Sequence, residues 1–116
     1  MKADLHMHST YSDGRLSTYE LFKRAKENDV DIIAITDHDI VSNVVENNKY
    51  AKEFGVRYIP GIELSTLEQG KPVHLLGYFR DDSYKSTELT RYFTDIKIGR
   101  EERAKKFISN LKEMFD

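Results

Sequence analysis

Apolar and polar residues alternate at the start of the chain. From Lys2 to His8 every second residue is apolar, and the others are charged or histidine. This period of two predicts a strand with one buried face. A loop over residues 9–15 follows, and its turn signal is Asp13-Gly14.

The next segment predicts two helices and a second strand. Ser17 and Glu20 form a capping box for the first helix, which is expected to end near residue 28. The apolar run over residues 31–35 is short and continuous, which is typical of a parallel strand covered on both faces. A second helix is expected from about Ser42 to Phe54, with Gly55 ending it.

The rest of the pattern predicts a hairpin and then a long helical segment. The predicted elements are a third strand at 56–59 that continues at 62–66, a turn at 68–71, a return strand at 73–79 and a helical segment from 86. Pro60-Gly61 is expected to break the third strand, and Gly99 to interrupt or bend the helical segment. The β-α-β-α-β order indicates an α/β fold with a mostly parallel sheet.

The composition indicates one ordinary globular domain over residues 1–116. Of these residues, 39% are hydrophobic and 33% are charged, and no cysteine is present, which excludes disulfides and thiolate metal sites. The net charge of -2 argues against a broad basic surface for duplex nucleic acid. We find neither an apolar signal core nor a run of about 20 apolar residues that could span a membrane. The expected location is therefore the cytoplasm.

All four histidines and two acidic residues fall near predicted strand ends: His6, His8, Asp13, His38, Glu63 and His74. The carboxyl ends of parallel strands meet on one rim of a sheet, so we expect these side chains to converge. His6 and His8 lie on one face of a strand, about 6–7 Å apart, and their imidazoles can share an ion. A mixed nitrogen and oxygen set suits Zn, Mn or Fe better than Ca or Mg.

Each of these residues also has an ordinary explanation when it is taken alone. A lone His-x-His on a strand is a weak signal, Asp13 before Gly14 suits a turn, and His38 suits a helix entry. Taken alone, Glu63 suits a solvated loop carboxylate, and His74 suits a half-exposed strand residue. A metal site explains all of them together, because chance would have to bring every histidine of the chain to the strand ends of one sheet.

Four segments, DLHMHSTYSDG, AITDHD, PGIELS and VHLLGY, occur in this order along the chain. Together they resemble the PHP domain (polymerase and histidinol phosphatase) family, and most of all its stand-alone phosphoesterases that act on nucleotides. The segment IGREERA is similar to the helix that follows the fourth motif in that group. The resemblance implies the N-terminal half of a distorted (β/α)7 barrel, because the family's barrel is well over twice this length. Later family motifs supply another histidine and an Asp-x-His.

The resemblance also implies a role for each candidate in a centre of up to three divalent ions. The implied ligands are His6 and His8 for the first ion, His74 for the second, Glu63 as the bridge between these two, and Asp13 and His38 for the third. Asp4 and Asp37 resemble the groups that orient ligating imidazoles.

The family's reaction is phosphoester hydrolysis by a metal-bound hydroxide, without a protein nucleophile. The chain accordingly lacks a cysteine and a nucleophile-elbow motif. The expected substrates are small phosphorylated molecules, namely nucleotides or short oligonucleotides, with histidinol phosphate as an alternative. Two other readings are a non-catalytic metal-binding PHP module and an inactive fragment. Arg100 and Arg103, one helical turn apart, are candidates for holding a phosphate, although a solvated helix face explains their cluster equally well.

A half barrel would leave an open sheet edge and uncovered apolar strands at residues 32–35 and 56–59. The only other cover that the sequence offers is the segment 86–115. We therefore expect this chain to self-associate, through an exchange of that segment for example, or to pair with a missing C-terminal half.

Overall fold

The computed structural model describes residues 1–115, which fall into two compact units. The first unit is Met1–Tyr84, and the second begins at Lys85. The elements are β1 (Ala3–Met7), α1 (Thr18–Glu27), β2 (Ile32–Ile35), α2 (Val44–Phe54), β3 (Arg57–Glu68), β4 (Lys71–Tyr78), a 3₁₀-helix (Asp82–Lys85) and α3 (Thr87–Phe115). The assignment of residues 1–116 to one domain stays a prediction.

The four strands form one sheet in the order β1-β2-β3-β4. β1, β2 and β3 are parallel, and β4 returns antiparallel to β3 as a hairpin. Helices α1 and α2 provide the crossovers that parallel strands require. The predicted α/β fold, with a mostly parallel sheet and a β-hairpin, is confirmed.

The helix starts follow the predicted capping chemistry, except that α2 begins later than predicted. Ser17 Oγ accepts a hydrogen bond from the Glu20 N–H at 3.2 Å, which caps α1 as expected. The cap of α2 is Asn43, so the helix begins at Val44 and the predicted start at Ser42 is wrong. Ser42 is buried and accepts a hydrogen bond from Asn47 Nδ2 at 2.8 Å, so its hydroxyl is used inside the fold.

The apolar core of the first unit lies where α1 and α2 pack against the sheet. Its fully or almost fully buried members are Phe22, Ala25, Ile33, Ile35 and Val56. The expectation that the apolar strands at 32–35 and 56–59 would be uncovered is therefore wrong, because side chains of both helices cover them.

Several apolar residues of the edge strand β4 are exposed. Leu75 of β4 is 53% exposed, and its neighbours Val73, Leu76 and Tyr78 are exposed as well. The predicted buried face of β1 is also wrong at Leu5, which is exposed because the core reaches only Met7 on this strand.

Pro60-Gly61 marks a change of partner within β3, and the predicted break at this point is wrong. Up to Pro60 the strand pairs with β2, and from Gly61 onward it pairs with β4. A Cβ atom at Gly61 would lie only 2.9 Å from Thr36 Cγ2, so a glycine lets β3 lie close to the residue that follows β2.

Helix α3 runs through Gly99 without interruption, so the predicted interruption is wrong. One glycine in a helix costs only about 1 kcal/mol relative to alanine, which a helix of 29 residues tolerates. Within the described part of the chain, no helix combines the length and the apolar character needed to cross a membrane.

The loop after β1 folds back tightly on the end of that strand. The Gly14 N–H donates to Ser9 O at 2.9 Å, and a Cβ atom at Gly14 would lie 2.1 Å from His8 O. The glycine is thus required by close backbone contact, beyond the turn signal that the sequence carries.

We predict that Gly14→Ala lowers the free energy of unfolding by about 1–3 kcal/mol, because the loop must move away from β1. The matched control is Gly77→Ala, whose added Cβ would make an ordinary contact with Ile62 Cγ2 at 3.4 Å. Its effect should stay within about 0.5 kcal/mol. Urea unfolding of both variants measures the difference, and equal effects would contradict the close-contact explanation.

Candidate metal centre

The structure brings together all six side chains that the sequence suggested as metal ligands. They lie on β1 or just after it, just after β2, on β3 and on β4: His6, His8, Asp13, His38, Glu63 and His74. Their proximity is an observation, and their role as ligands stays a prediction.

Glu63 occupies the middle of this cluster, and its side chain is only 6% exposed. Its Oε1 lies 2.6 Å from His6 Nε2 and 3.0 Å from His8 Nε2. Its Oε2 lies 2.8 Å from His74 Nδ1 and 3.4 Å from His38 Nδ1. Each carboxylate oxygen therefore faces two different imidazoles.

Asp13 closes the cluster on the side of the β1 loop. Its Oδ1 lies 2.6 Å from His8 Nδ1, and its Oδ2 lies 3.3 Å from His38 Nε2. His8 and His38 thus each stand between Asp13 and Glu63. A neutral imidazole has one lone pair available for an ion, so each of these histidines can serve one ion at a time.

The same contacts shift the pKa values of the cluster. Partial burial by itself lowers the pKa of His8, but hydrogen bonds to Asp13 and Glu63 outweigh it and raise the pKa above 6.5. The hydrogen bond from His8 lowers the pKa of Asp13. Burial raises the pKa of Glu63, but hydrogen bonds from His6 and His8 outweigh it and the net shift is downward. Both carboxylates are therefore ionised at neutral pH, and protons and a divalent cation would compete for the facing nitrogens.

The donor atoms form three overlapping groups. In each group, all atoms lie within 4.8 Å of one another. The groups are His6–His8–Glu63, His8–Asp13–His38 and His38–Glu63–His74. The first agrees with the ion expected at His6 and His8, and Glu63 belongs to two groups, as a bridging carboxylate would. Imidazole nitrogens with carboxylate oxygens form a set that fits Zn, Mn or Fe.

Asp4 and Asp37 make different contacts from those that their suggested role implies. Asp4 Oδ1 accepts a hydrogen bond from the backbone N–H of His6 at 3.3 Å. Asp37 is fully buried and accepts hydrogen bonds from Ser9 and Ser12 of the β1 loop. A role for the two carboxylates in orienting imidazole rings stays a prediction.

Sequence reasoning missed three residues around the cluster, namely Ser9, Ser12 and Asp39. Both serines donate to Asp37, and Asp39 Oδ1 accepts from the Ser65 N–H at 2.8 Å. The available signal was the pair of acidic residues on either side of His38 in the TDHD motif.

Arg100 and Arg103 lie three residues apart on α3, in the second unit. Arg103 Nε donates to Gly99 O at 3.4 Å, one turn earlier on the same helix. A role for this pair in holding phosphate stays a prediction.

The family model of the PHP domain matches residues 4–116 of this sequence. The chain belongs to the PHP domain family. The match spans every residue of the cluster described above, and the resemblance of the four motifs to this family is confirmed.

Relatives within the PHP family act on phosphorylated molecules, according to their names. A 5′-3′ exoribonuclease from Haemophilus influenzae is 40% identical over 103 residues, which are 89% of this chain and 37% of that protein. A 3′,5′-nucleoside bisphosphate phosphatase from Chromobacterium violaceum is 32% identical over 108 residues, which are 93% of this chain and 37% of that protein.

A solved structure has the same fold as this PHP chain. It is an amidohydrolase from Chromobacterium violaceum with bound sulfate and no metal, and it superposes with a TM-score of 0.82 at 32% identity. The superposition covers 91% of this chain and 37% of that one. The chain thus spans little more than a third of the length of the proteins it matches, and its sheet corresponds to part of their barrel.

We predict that the PHP chain, purified without chelator, contains Zn, Mn or Fe by elemental analysis. The double variant His6→Ala/His8→Ala should contain less, because it removes two donors from the His6–His8–Glu63 group. Glu53→Ala, at an exposed position on α2, is the control and should keep the metal. A stoichiometric metal content that the double variant leaves unchanged would place the site elsewhere.

Proposed function

We propose that this chain carries the metal-binding part of a phosphoesterase that hydrolyses phosphate esters of nucleotides or short oligonucleotides. The observation that carries the proposal is the convergence of four imidazoles on the buried carboxylate of Glu63, with the Asp13 carboxylate facing two of them. The named activities of the relatives, on RNA and on a nucleoside bisphosphate, support this substrate class. Histidinol phosphate is the alternative substrate.

Up to three ions of Mn, Zn or Fe, when bound, would activate water and neutralise charge on phosphoryl oxygens. Glu63 would hold two of them, because its two oxygens face separate histidine pairs. Asp13 would hold another together with His8 or His38.

The side chains of the cluster differ in exposure. Those of His8 and His38 are 19% and 18% exposed, whereas those of His6, His74 and Asp13 are 57%, 52% and 65% exposed. A phosphate ester would reach the site along these three exposed side chains, since they face solvent.

The proposal includes no protein nucleophile. The chain has no cysteine, and the hydroxyls of Ser9 and Ser12 are engaged, since each donates to the buried Asp37 carboxylate. The Ser9 side chain is also fully buried, which keeps its hydroxyl away from a substrate.

A non-catalytic PHP module is the second candidate, and an inactive fragment is the third. A cluster of six donor residues favours a catalytic centre, because a purely structural site needs only about four ligands in a closed shell. Because the chain spans 37% of its relatives' length, we propose hydrolysis for a complete PHP protein and metal binding for this chain alone.

We predict that hydrolysis of a nucleoside bisphosphate or a short oligoribonucleotide by the complete PHP protein is lost in excess chelator and restored by Mn²⁺. The reason is that metal-activated water is the attacking group, and no side chain of the cluster can attack phosphorus in its place. Glu63→Gln, which removes the central charge, should lower the activity. The same variant controls for contaminating phosphatases, since it passes through the same purification. Hydrolysis that persists in chelator in the wild type and is absent from the variant would contradict the metal requirement.

We further propose that the exposed apolar residues of β4 are covered in the functional protein, either by a second copy of the chain or by the C-terminal half of a complete barrel. Leu75 and Tyr78 are exposed on this strand, which in the described sheet pairs on one side only, with β3. Such an edge is a template for pairing with another chain.

We predict that light scattering finds a mass above that of the monomer that rises with protein concentration, and that Leu75→Lys reduces it. A lysine on an edge strand opposes pairing with another edge. A well-folded monomer from micromolar to millimolar concentration would show that the chain needs no such cover.

A further inference from the structure

We propose that Asp37 and Asp39 are positioning residues, which fix the carboxylates of Asp13 and Glu63 on either side of His38. This inference rests on the proposed function, because it concerns how the same centre is held in shape. In this proposal, the two acidic residues of the TDHD motif hold the backbone around the site, Asp37 at the β1 loop and Asp39 at β3.

Asp37 anchors the loop that carries Asp13. Its carboxylate has no exposed surface and accepts three hydrogen bonds, from the Ser9 N–H and Ser9 Oγ at 2.7 Å each and from Ser12 Oγ at 2.6 Å. A buried carboxylate needs such donors to offset its lost hydration. These bonds tie the β1 loop to the residue that directly precedes His38.

Ser12 has one hydroxyl proton and two carboxylates nearby. Its Oγ lies 2.6 Å from Asp37 Oδ1 and 3.4 Å from Asp13 Oδ1, and the shorter distance identifies Asp37 as the acceptor. The Asp13 oxygens are thereby left for His8 and His38. Because Ser12 is the neighbour of Asp13 in the chain, fixing Ser12 also fixes the backbone from which the Asp13 carboxylate extends.

Asp39 anchors β3 next to Glu63. Its Oδ1 accepts a hydrogen bond from the Ser65 N–H at 2.8 Å, and its own N–H donates to Glu63 O at 3.0 Å. The Glu63 N–H donates in turn to Asp37 O at 3.0 Å. The backbone of Glu63 is therefore held on both sides by the segment 37–39.

The backbone of Asp39 has the left-handed conformation, with φ at 54°. This region is uncommon for residues other than glycine, although aspartate and asparagine tolerate it best. Here it lets one residue turn its N–H towards Glu63 and its carboxylate towards Ser65. The strained position is thus explained by its place beside the cluster.

The two anchors serve different donor groups, so their effects are separable. Asp37, through Ser12, serves the His8–Asp13–His38 group, whereas Asp39 serves the two groups that contain Glu63. Groups that hold ligands in place typically change metal affinity by about 10–100-fold when they are removed.

The experiment titrates Mn²⁺ into metal-free protein and follows the heat of binding for five variants. Ser12→Ala removes the donor to Asp37, and Asp39→Gly removes the acceptor for Ser65 without left-handed strain. Thr10→Ala, at an exposed position in the same loop, is the control for the first. Asp29→Gly, at an exposed aspartate with φ at 57°, is the control for the second.

We expect Ser12→Ala to weaken one Mn²⁺ site about tenfold and Asp39→Gly to weaken a different one about tenfold, while both controls stay near the wild type. Asp39→Asn keeps a carbonyl oxygen and should retain the wild-type affinity. Amide hydrogen exchange in metal-free protein provides a second readout, in which the Ser65 N–H should exchange faster in Asp39→Gly than in Asp29→Gly.

Several results would overturn the inference. Mn²⁺ binding by Ser12→Ala and Asp39→Gly as tight as that of the wild type would do so. An equal weakening of every Mn²⁺ site, in proportion to the loss of thermal stability, would do so as well. A wild-type chain that binds no Mn²⁺ would contradict the proposed function instead. In that case the Ser65 exchange rate decides: faster exchange in Asp39→Gly supports the anchor, and an unchanged rate rejects it.

Discussion

The arrangement of the first unit depends on the burial of one charged carboxylate. Glu63 lies at the end of parallel strand pairing, and its side chain is almost completely removed from solvent. A buried charge is unfavourable unless donors or counter-charges surround it. Four histidines meet that need, and they can do so only if β1 and β2 end level with the middle of β3 and β4, where Glu63 and His74 lie. The position of a single side chain therefore constrains the register of the whole sheet.

The register meets this constraint. Met7 pairs with Ile35, and Ile35 pairs with Pro60, so the three parallel strands reach the rim together. Beyond Pro60, β3 leaves its partner strand and pairs with β4, which brings His74 to the second oxygen of Glu63. Gly61 allows this change because its missing Cβ leaves room for Thr36. The feature that looks like a strand break in the sequence is thus what completes the cluster.

The sequence predicts much of this fold, and its errors have physical causes. Alternation, capping and apolar runs located the strands and helices, and the grouping of histidines at strand ends predicted the cluster. What failed depends on contacts distant in sequence. Pro60-Gly61 is a break signal by local rules, and only the approach of Thr36 and β4 gives it another meaning. The expectation of uncovered strands failed likewise, because Ile33 packs against side chains of both helices, which come from other parts of the chain.

The contacts of Asp37 and Asp39 illustrate the same limit within the site. The family resemblance suggests that Asp37 orients an imidazole, because acidic residues near a ligating histidine commonly do so. In the fold, the Asp37 side chain is turned towards the β1 loop, and Asp39 reaches β3 through a left-handed backbone.

The ion pairs within the cluster bear on how an ion would bind. Its imidazoles and carboxylates lie within pairing distance of one another. A metal would replace those pairings and displace the protons between them, since the same nitrogen lone pairs are used in both states. Binding would therefore need little rearrangement of the strands, because the ligands are held by the backbone pairing of β1, β2 and β3. The half-exposed His6 and His74 have more room to adjust to an ion than the less exposed His8 and His38.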